Sequence, residues 1–175
     1  MMLKGIIFAA LTGVIVLKFR KELFAFHRHG PYMFVAAEGL LLLFIFNGGA
    51  MFQNPLPLRQ VLSWILMLTS AGVAFFGFYA LKKYGQAVGD WEDTTRVVHE
   101  GIFRYIRHPL YTSLMFLAGG MLLKEMSWSS VSAFVVTFGF LVAASRVEER
   151  ENLEKFGSAY RHYSHHTKRY VPFIV

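Results

Sequence analysis

Two short polar segments hold the residue types in this chain that could do chemistry. Arg107 and His108 stand in the first segment, and Glu148 and Glu149 stand in the second, further along the chain. A guanidinium can bind a carboxylate through two parallel hydrogen bonds, and a carboxylate can bind an ammonium or hydroxyl groups. The stretch between the segments is mostly apolar, which predicts a helical hairpin with both segments at one end. Charged groups gathered at a membrane edge are costly, so the pattern indicates a functional site.

The composition of the chain is that of a membrane protein. Of its 175 residues, 55% are hydrophobic and 17% are charged, whereas a soluble domain carries about a quarter charged residues. The apolar residues also occur in long blocks and not in short periodic runs, which favours membrane spans. The chain has no cysteine, so disulfides, thiolate nucleophiles and cysteine-ligated zinc are excluded.

The apolar blocks predict the architecture that must position the two segments. We expect one domain, residues 1–175, that is an all-α integral membrane protein with about five transmembrane helices. Residues 1–81 hold three N-terminal spans, with a proline-containing turn at Asn54–Pro57 between the second and the third. Residues 97–175 hold the last two spans, which form the helical hairpin, and a cytoplasmic C-terminal helical tail. The five expected spans are approximately Met2–Leu17, Pro31–Phe52, Val61–Leu81, Leu110–Leu123 and Trp128–Ser145.

Lysine and arginine are distributed unevenly between the two sides that these spans define. With five spans, 15 of the 18 Lys and Arg residues fall on one side, in two loops and the tail. The positive-inside rule therefore places the N-terminus outside, and the C-terminus and the polar segments in the cytoplasm. This asymmetry accounts for the formal net charge of +7 without a nucleic-acid partner.

Taken together, the polar segments resemble a known family. Residues 101–111, GIFRYIRHPLY, resemble the G-x-Y-R-Y-x-R-H-P-x-Y segment of the isoprenylcysteine carboxyl methyltransferases and related phospholipid methyltransferases. The tail is similar to the E-E…F-G-x-x-Y-x-x-Y…R-x-x-P ending of that family. The residues that match this ending are Glu148-Glu149, Phe156-Gly157, Tyr160, Tyr163, Arg169 and Pro172. The resemblance covers about Val97–Phe173, nearly half of the chain.

The resemblance implies a membrane methyltransferase with S-adenosylmethionine as cofactor and S-adenosylhomocysteine as product. The cofactor is expected at the cytoplasmic edge, against the last two spans and under the tail. In agreement, the sequence has no strand followed by a glycine-rich turn, the signal of a nucleotide-binding sheet. The implied cofactor-binding residues are Arg107, His108, Pro109, Tyr111, Glu148, Glu149 and Asn152. The candidate catalytic residues, expected to orient an anionic group of the acceptor, are Arg169 and Arg146.

The methyl acceptor is expected to be lipophilic or embedded in the membrane. The expected partners are therefore membrane lipids and a lipophilic small-molecule or lipidated acceptor. A prenylcysteine-type carboxylate, a phospholipid amine and a small hydrophobic acid or thiol all stay open. A carboxylate is already ionised at neutral pH, whereas an amine or thiol would need deprotonation, with His108 or a glutamate as the available group.

A non-enzymatic channel, transporter subunit or scaffold is the alternative from another class of protein. Transport folds often show internal repeats and polar residues near the membrane midplane. This chain shows no repeat, and Glu38 is the one charged residue expected within a span away from its ends. Glu38 is either functional or paired with another helix. Histidines 162, 165 and 166 could be metal ligands, but a basic tail beside lipid head groups favours an interfacial role, and no metal is expected.

Overall fold

The computed structural model describes residues 2–20, 23–53, 57–88 and 94–172. Within these ranges the regular structure is helical, and extended pairing is limited to one parallel bridge between Ile106 and Lys168. The all-helical prediction is therefore confirmed. The helices are α1 (Met2–Phe19), α2 (Gly30–Asn47), α3 (Leu58–Tyr84), α4 (Pro109–Lys124), α5 (Trp128–Phe156) and α6 (Ser158–His166), with short 3-10 turns at Gly48–Ala50 and Gly101–Arg104.

Three of the described helices are long and apolar enough to cross a membrane. These candidate spans have mean hydropathies of 1.7, 1.9 and 1.7 and are Gly30–Ala50, Leu58–Tyr84 and Trp128–Phe156. They correspond to the second, third and fifth predicted spans. The count of five spans, the hairpin and the orientation in the membrane stay predictions. Apart from Pro57, the expected turn at Asn54–Pro57 lies outside the described residues.

The chain forms two compact units. The first consists of Met1–Met67 and Met115–Glu148, and the second consists of Leu68–Leu114 and Glu149–Val175. Helices α3, α4 and α5 each contribute to both units, because each contains one of these boundaries. The single domain predicted for residues 1–175 stays a prediction.

Buried polar side chains link the helices of the first unit. Asn47 on α2 donates from Nδ2 to the carbonyl of Met121 on α4 at 2.7 Å. Its Oδ1 accepts a hydrogen bond from Ser130 Oγ on α5, also at 2.7 Å. Because lipid is as apolar as a leucine side chain, such hydrogen bonds and close packing hold membrane helices together. The apolar core beside these bonds contains Leu43, Ala118, Met121 and Ala133.

Glu38 and Gly39 bring α2 into contact with two other helices of the first unit. Glu38 Oε2 accepts a hydrogen bond from Thr12 Oγ1 on α1 at 2.8 Å, so this acid is paired with another helix. Gly39 allows the close approach of α5, since a Cβ atom there would lie 2.1 Å from Thr137 Oγ1. A small residue at this contact is typical of membrane helix packing.

The second unit is built around the turn that precedes α4. Gly101 opens this turn with φ of +62°, a conformation that residues with a Cβ rarely adopt. Phe103 then packs with Ala80 and Val98 in a buried cluster. Tyr163 on α6 donates its hydroxyl hydrogen to the carbonyl of Phe103 at 2.7 Å. The turn and the C-terminal region are thereby fixed to each other.

Candidate functional site

One carboxylate in the second unit binds three side chains. Arg107 Nε donates to Glu149 Oε1 at 2.9 Å, and His108 Nε2 lies 3.3 Å from the same oxygen. Arg169 donates to Oε2 from Nη2 at 2.8 Å and from Nε at 3.1 Å. We refer to Glu149, Arg107, His108 and Arg169 as the Glu149 cluster. Its members come from α5, from the segment just before α4 and from the residues after α6.

The members of the Glu149 cluster differ in exposure. The side chains of Arg107 and Glu149 are 11% and 14% exposed, and that of His108 is 2% exposed, whereas Arg169 is 38% exposed. A charge with so little access to water needs its partner, because an uncompensated buried charge is strongly destabilising. The hydrogen bond from Arg169 to Glu149 raises the pKa of Arg169 above its usual value. Arg169 is therefore the cationic member that also reaches the surface.

Arg107 also binds the C-terminal end of α6. Its Nη1 donates to the carbonyl of Ser164 at 2.8 Å and to the carbonyl of Thr167. The last carbonyls of a helix lack partners within the helix, and a cation there is favourable for the helix dipole. Arg107 thus binds Glu149 and the end of α6 at the same time, and these contacts fix the orientation of its guanidinium.

The segment after α6 pairs with the start of α4 through the backbone. Arg107 N–H donates to the carbonyl of Lys168 at 2.7 Å, and His108 N–H donates to the carbonyl of Arg169 at 3.0 Å. Pro109 is the first residue of α4, as predicted, where a residue without an N–H group is well suited. The two N–H groups before it are thus available to hold the tail beside the cluster.

Tyrosine side chains surround His108 and support the tail. The ring of Tyr111 lies edge-on to the imidazole with centroids 5.3 Å apart, and the ring of Tyr170 lies at 6.1 Å. Burial raises the pKa of Tyr163, whose phenol donates to the turn before α4. The phenol of Tyr163 therefore stays protonated and keeps its role as a donor.

The structure brings six of the nine predicted site residues together. Those in or next to the Glu149 cluster are Arg107, His108, Pro109, Tyr111, Glu149 and Arg169. Asn152 is half-buried and lies on α5 in the same unit. Glu148, half-buried, and Arg146, exposed, belong to the first unit. The roles predicted for Asn152, Glu148 and Arg146 stay predictions.

Sequence reasoning did not single out Thr112, which the structure places beside the cluster. Thr112 Oγ1 lies 3.0 Å from the carbonyl of His108 and 3.1 Å from the carbonyl of Tyr170. The local half of this contact could have been expected, because threonine near a helix start often bonds to a carbonyl one turn earlier. Nothing in the sequence relates Thr112 to Tyr170.

The donors and acceptors of the cluster suit a ligand that carries both a carboxylate and an amino group. Guanidinium groups bind carboxylates in a planar, bidentate way, and a glutamate binds an ammonium. Within the part of the chain that the structure describes, no group of three or more His, Asp and Glu residues could hold a metal ion.

Comparison with protein families gives one match. A sequence model of the phospholipid methyltransferase family matches residues 58–159, more than half of the chain. The matched region begins with α3 and ends within α6, so it includes Arg107–Tyr111 and Glu149 but not Arg169. It begins well before Val97, where the resemblance in the motifs began, and so adds the third predicted span. Comparisons with curated proteins and with solved structures gave no match.

Proposed function

The chain belongs to the phospholipid methyltransferase family, and from this membership we propose that it transfers a methyl group from S-adenosylmethionine to a lipophilic acceptor in the membrane. The observation that carries the proposal is the Glu149 cluster. It gathers charged residues from both halves of the family pattern around one largely buried carboxylate. When bound, the cofactor supplies a methyl group on a positively charged sulfonium.

The two arginines of the cluster have different roles in this proposal: one guanidinium is fixed, and the other can be displaced. Arg107 is largely buried and binds Glu149 and the carbonyls of Ser164 and Thr167, so we assign it to the support of the site. Arg169 is more exposed, and its guanidinium can turn from Glu149 to an anionic group of a ligand. Glu149 can then accept a hydrogen bond from the amino group of the cofactor in place of the Arg169 contact.

The site offers two ways to prepare an acceptor. For a carboxylate, Arg169 can orient the oxygen atoms, and a dry site favours a transfer that consumes two opposite charges. For a phospholipid amine, the acceptor must lose a proton, and His108 is the base at hand. Glu149, 3.3 Å from His108 Nε2, would hold the imidazole in a fixed orientation. The family membership favours the phospholipid amine, and the partly exposed guanidinium of Arg169 favours the carboxylate.

Cofactor binding is the first test of the proposal. We expect purified protein in detergent to bind S-adenosylhomocysteine in the micromolar range by isothermal titration calorimetry. Glu149→Gln should weaken this binding, because the cofactor's amino group would lose a charged acceptor. Glu125→Gln is the matched control, since Glu125 is exposed in the connection between α4 and α5. A wild-type protein that binds no cofactor would contradict the proposal.

A second experiment identifies the acceptor class. Membranes that contain the protein are incubated with S-adenosylmethionine labelled in its methyl group, and the lipid extract is then treated with mild base. A methyl ester releases its label as methanol, whereas a methylated amine keeps it. Label that stays through base treatment would assign the acceptor to the amines or thiols, and released label would assign it to the carboxylates.

A further inference from the structure

Thr112 places a single hydroxyl group between two segments of the second unit. The residue is 3% exposed and lies in the first turn of α4. Its Oγ1 is within hydrogen-bond distance of two carbonyls. One is that of His108, the residue before α4, and the other is that of Tyr170, 58 residues further along. A threonine hydroxyl has one hydrogen to donate, so the two carbonyls share it.

Three consecutive carbonyls after α6 are bound from the start of α4. The carbonyls of Lys168 and Arg169 accept from backbone N–H groups of Arg107 and His108. The carbonyl of Tyr170 accepts from the Thr112 side chain. Any non-proline residue would supply the first two donors, but the third requires a hydroxyl at position 112. Thr112 is therefore the only one of these three donors that depends on its side chain.

These bonds fix the backbone on both sides of Arg169. Arginine has a long, flexible side chain, and orienting its guanidinium costs conformational entropy. A backbone that is already fixed lowers this cost, because only the side-chain torsions then remain to be ordered. We propose that Thr112 is a positioning residue that holds Arg169 in place opposite Glu149 and the reacting groups. The inference rests on the proposed function, and it adds a residue that the family motif did not indicate.

Substitutions of Thr112 separate the hydroxyl from the shape of the side chain. Thr112→Val keeps the branched shape without the hydroxyl, and Thr112→Ser keeps the hydroxyl. We expect turnover to fall about tenfold in Thr112→Val, the scale of one lost hydrogen bond. The KM for S-adenosylmethionine should change much less, and Thr112→Ser should stay near wild type. Wild-type turnover in Thr112→Val would overturn the proposal.

Ser113→Ala is the matched control for loss of a buried hydroxyl. Ser113 is also 3% exposed, but its Oγ donates only to the nearby carbonyl of Leu110, at 2.6 Å, among the contacts of the described residues. We expect Ser113→Ala to keep its turnover. An equal loss in Ser113→Ala and Thr112→Val would mean that any buried hydroxyl of α4 matters, and it would overturn a specific role for Thr112.

A double-mutant cycle tests whether Thr112 acts through Arg169. If it does, Thr112→Val should cause little further loss of turnover in a protein that already carries Arg169→Ala. If the fold losses of turnover in the two single variants multiply in the double variant, Thr112 acts independently of Arg169, and the proposal is contradicted. If Thr112→Val does not fold, as judged by thermal unfolding, Thr112→Ala takes its place in the cycle.

Amide hydrogen exchange gives a readout that does not depend on methyl transfer. Peptides that cover residues 164–172 should exchange faster in Thr112→Val than in wild type, and at the wild-type rate in Thr112→Ser. A wild-type protein without methyltransferase activity would contradict the proposed function, and the exchange would still decide whether Thr112 holds the tail. Unchanged exchange in Thr112→Val would overturn the positioning role by itself.

Discussion

At the scale of single residues, the charged side chains of the site bind one another in addition to their proposed binding of a ligand. Glu149 has two carboxylate oxygens, and the described contacts of Arg107, His108 and Arg169 use both of them. Among the described contacts, the largely buried guanidinium of Arg107 has Glu149 as its anionic partner and otherwise binds two backbone carbonyls. Glu149 is therefore expected to contribute to the stability of the second unit in addition to any role in cofactor binding.

Glu149→Gln should lower both cofactor affinity and stability. The substitution removes the negative charge that compensates Arg107, at a cost of about 2–4 kcal/mol in unfolding free energy. Cofactor affinity should fall by roughly 1.5–3 kcal/mol, the scale of a hydrogen bond to a charged group. Thermal unfolding in detergent and calorimetry with S-adenosylhomocysteine measure the two effects.

Glu148→Gln serves as the comparison at the neighbouring position. If Glu148 binds the cofactor, as the family resemblance implies, affinity should fall without a comparable loss of stability. Equal cofactor affinity in both variants and the wild type would show that the acidic pair takes no part in cofactor binding.

Arg169→Lys should reduce turnover strongly while cofactor affinity stays nearly unchanged. A lysine keeps the charge but has no planar fork, so it cannot hold a carboxylate through two parallel hydrogen bonds. The lost contact would be to the acceptor or the transition state, which lowers kcat. Lys168→Gln is the control, because the exposed Lys168 side chain neighbours Arg169 along the chain. Full activity of Arg169→Lys would assign Arg169 to a contact that any cation can make.

At the scale of secondary-structure elements, α6 is attached to the turn before α4 by few but buried contacts. Tyr163→Phe removes the hydroxyl that donates to the Phe103 carbonyl at 2.7 Å. Leaving this carbonyl without its donor should cost about 1–3 kcal/mol of unfolding free energy. Tyr105→Phe is the control, since Tyr105 is 51% exposed. An equal fall in unfolding free energy in both variants would show that the effect does not come from the hydrogen bond between α6 and the turn.

The packing of α2 against α5 in the first unit gives a second prediction for the elements. Gly39→Ala would place a Cβ atom 2.1 Å from Thr137 Oγ1, whose side chain is fully buried and cannot move aside cheaply. We expect a loss of about 1–3 kcal/mol, as for other overpacked cores. Thermal unfolding in detergent measures the loss.

Gly139→Ala is the matched control for Gly39→Ala. Gly139 is also helical, on α5, and a Cβ atom there would meet nothing within 4 Å among the described residues. Gly139→Ala should therefore leave stability nearly unchanged. Adding Thr137→Ala to Gly39→Ala should recover part of the loss, and no recovery would contradict the steric explanation.

At the scale of the whole molecule, the predicted orientation can be tested because the chain contains no cysteine. Single cysteines are introduced in place of Lys4, near the start of α1, and of His165, exposed on α6. With five spans and the positive-inside rule, a membrane-impermeant maleimide should label the first in intact cells and the second only after permeabilisation. Labelling of both cysteines from the same side would contradict an odd number of spans.

The features that could be predicted from the sequence are local ones. Apolar blocks predicted the helices, and Pro109 marked the start of α4, because both signals lie in neighbouring residues. The association of Arg107 with Glu149 followed from an expected hairpin between them. The sequence could not predict that Arg169 binds Glu149, or that Thr112 reaches Tyr170. These contacts depend on where α6 turns back, which is decided by buried hydrogen bonds between distant segments.

Helix α4 has 16 residues, and this length bears on the bilayer thickness that suits the protein. Its length of about 24 Å is less than the ~30 Å of an average hydrocarbon layer. If α4 crosses the membrane, as the sequence predicts, a bilayer of long-chain lipids would have to become locally thinner around it, at a cost for each ångström of mismatch. We therefore expect the protein to be most active in bilayers of lipids with short acyl chains.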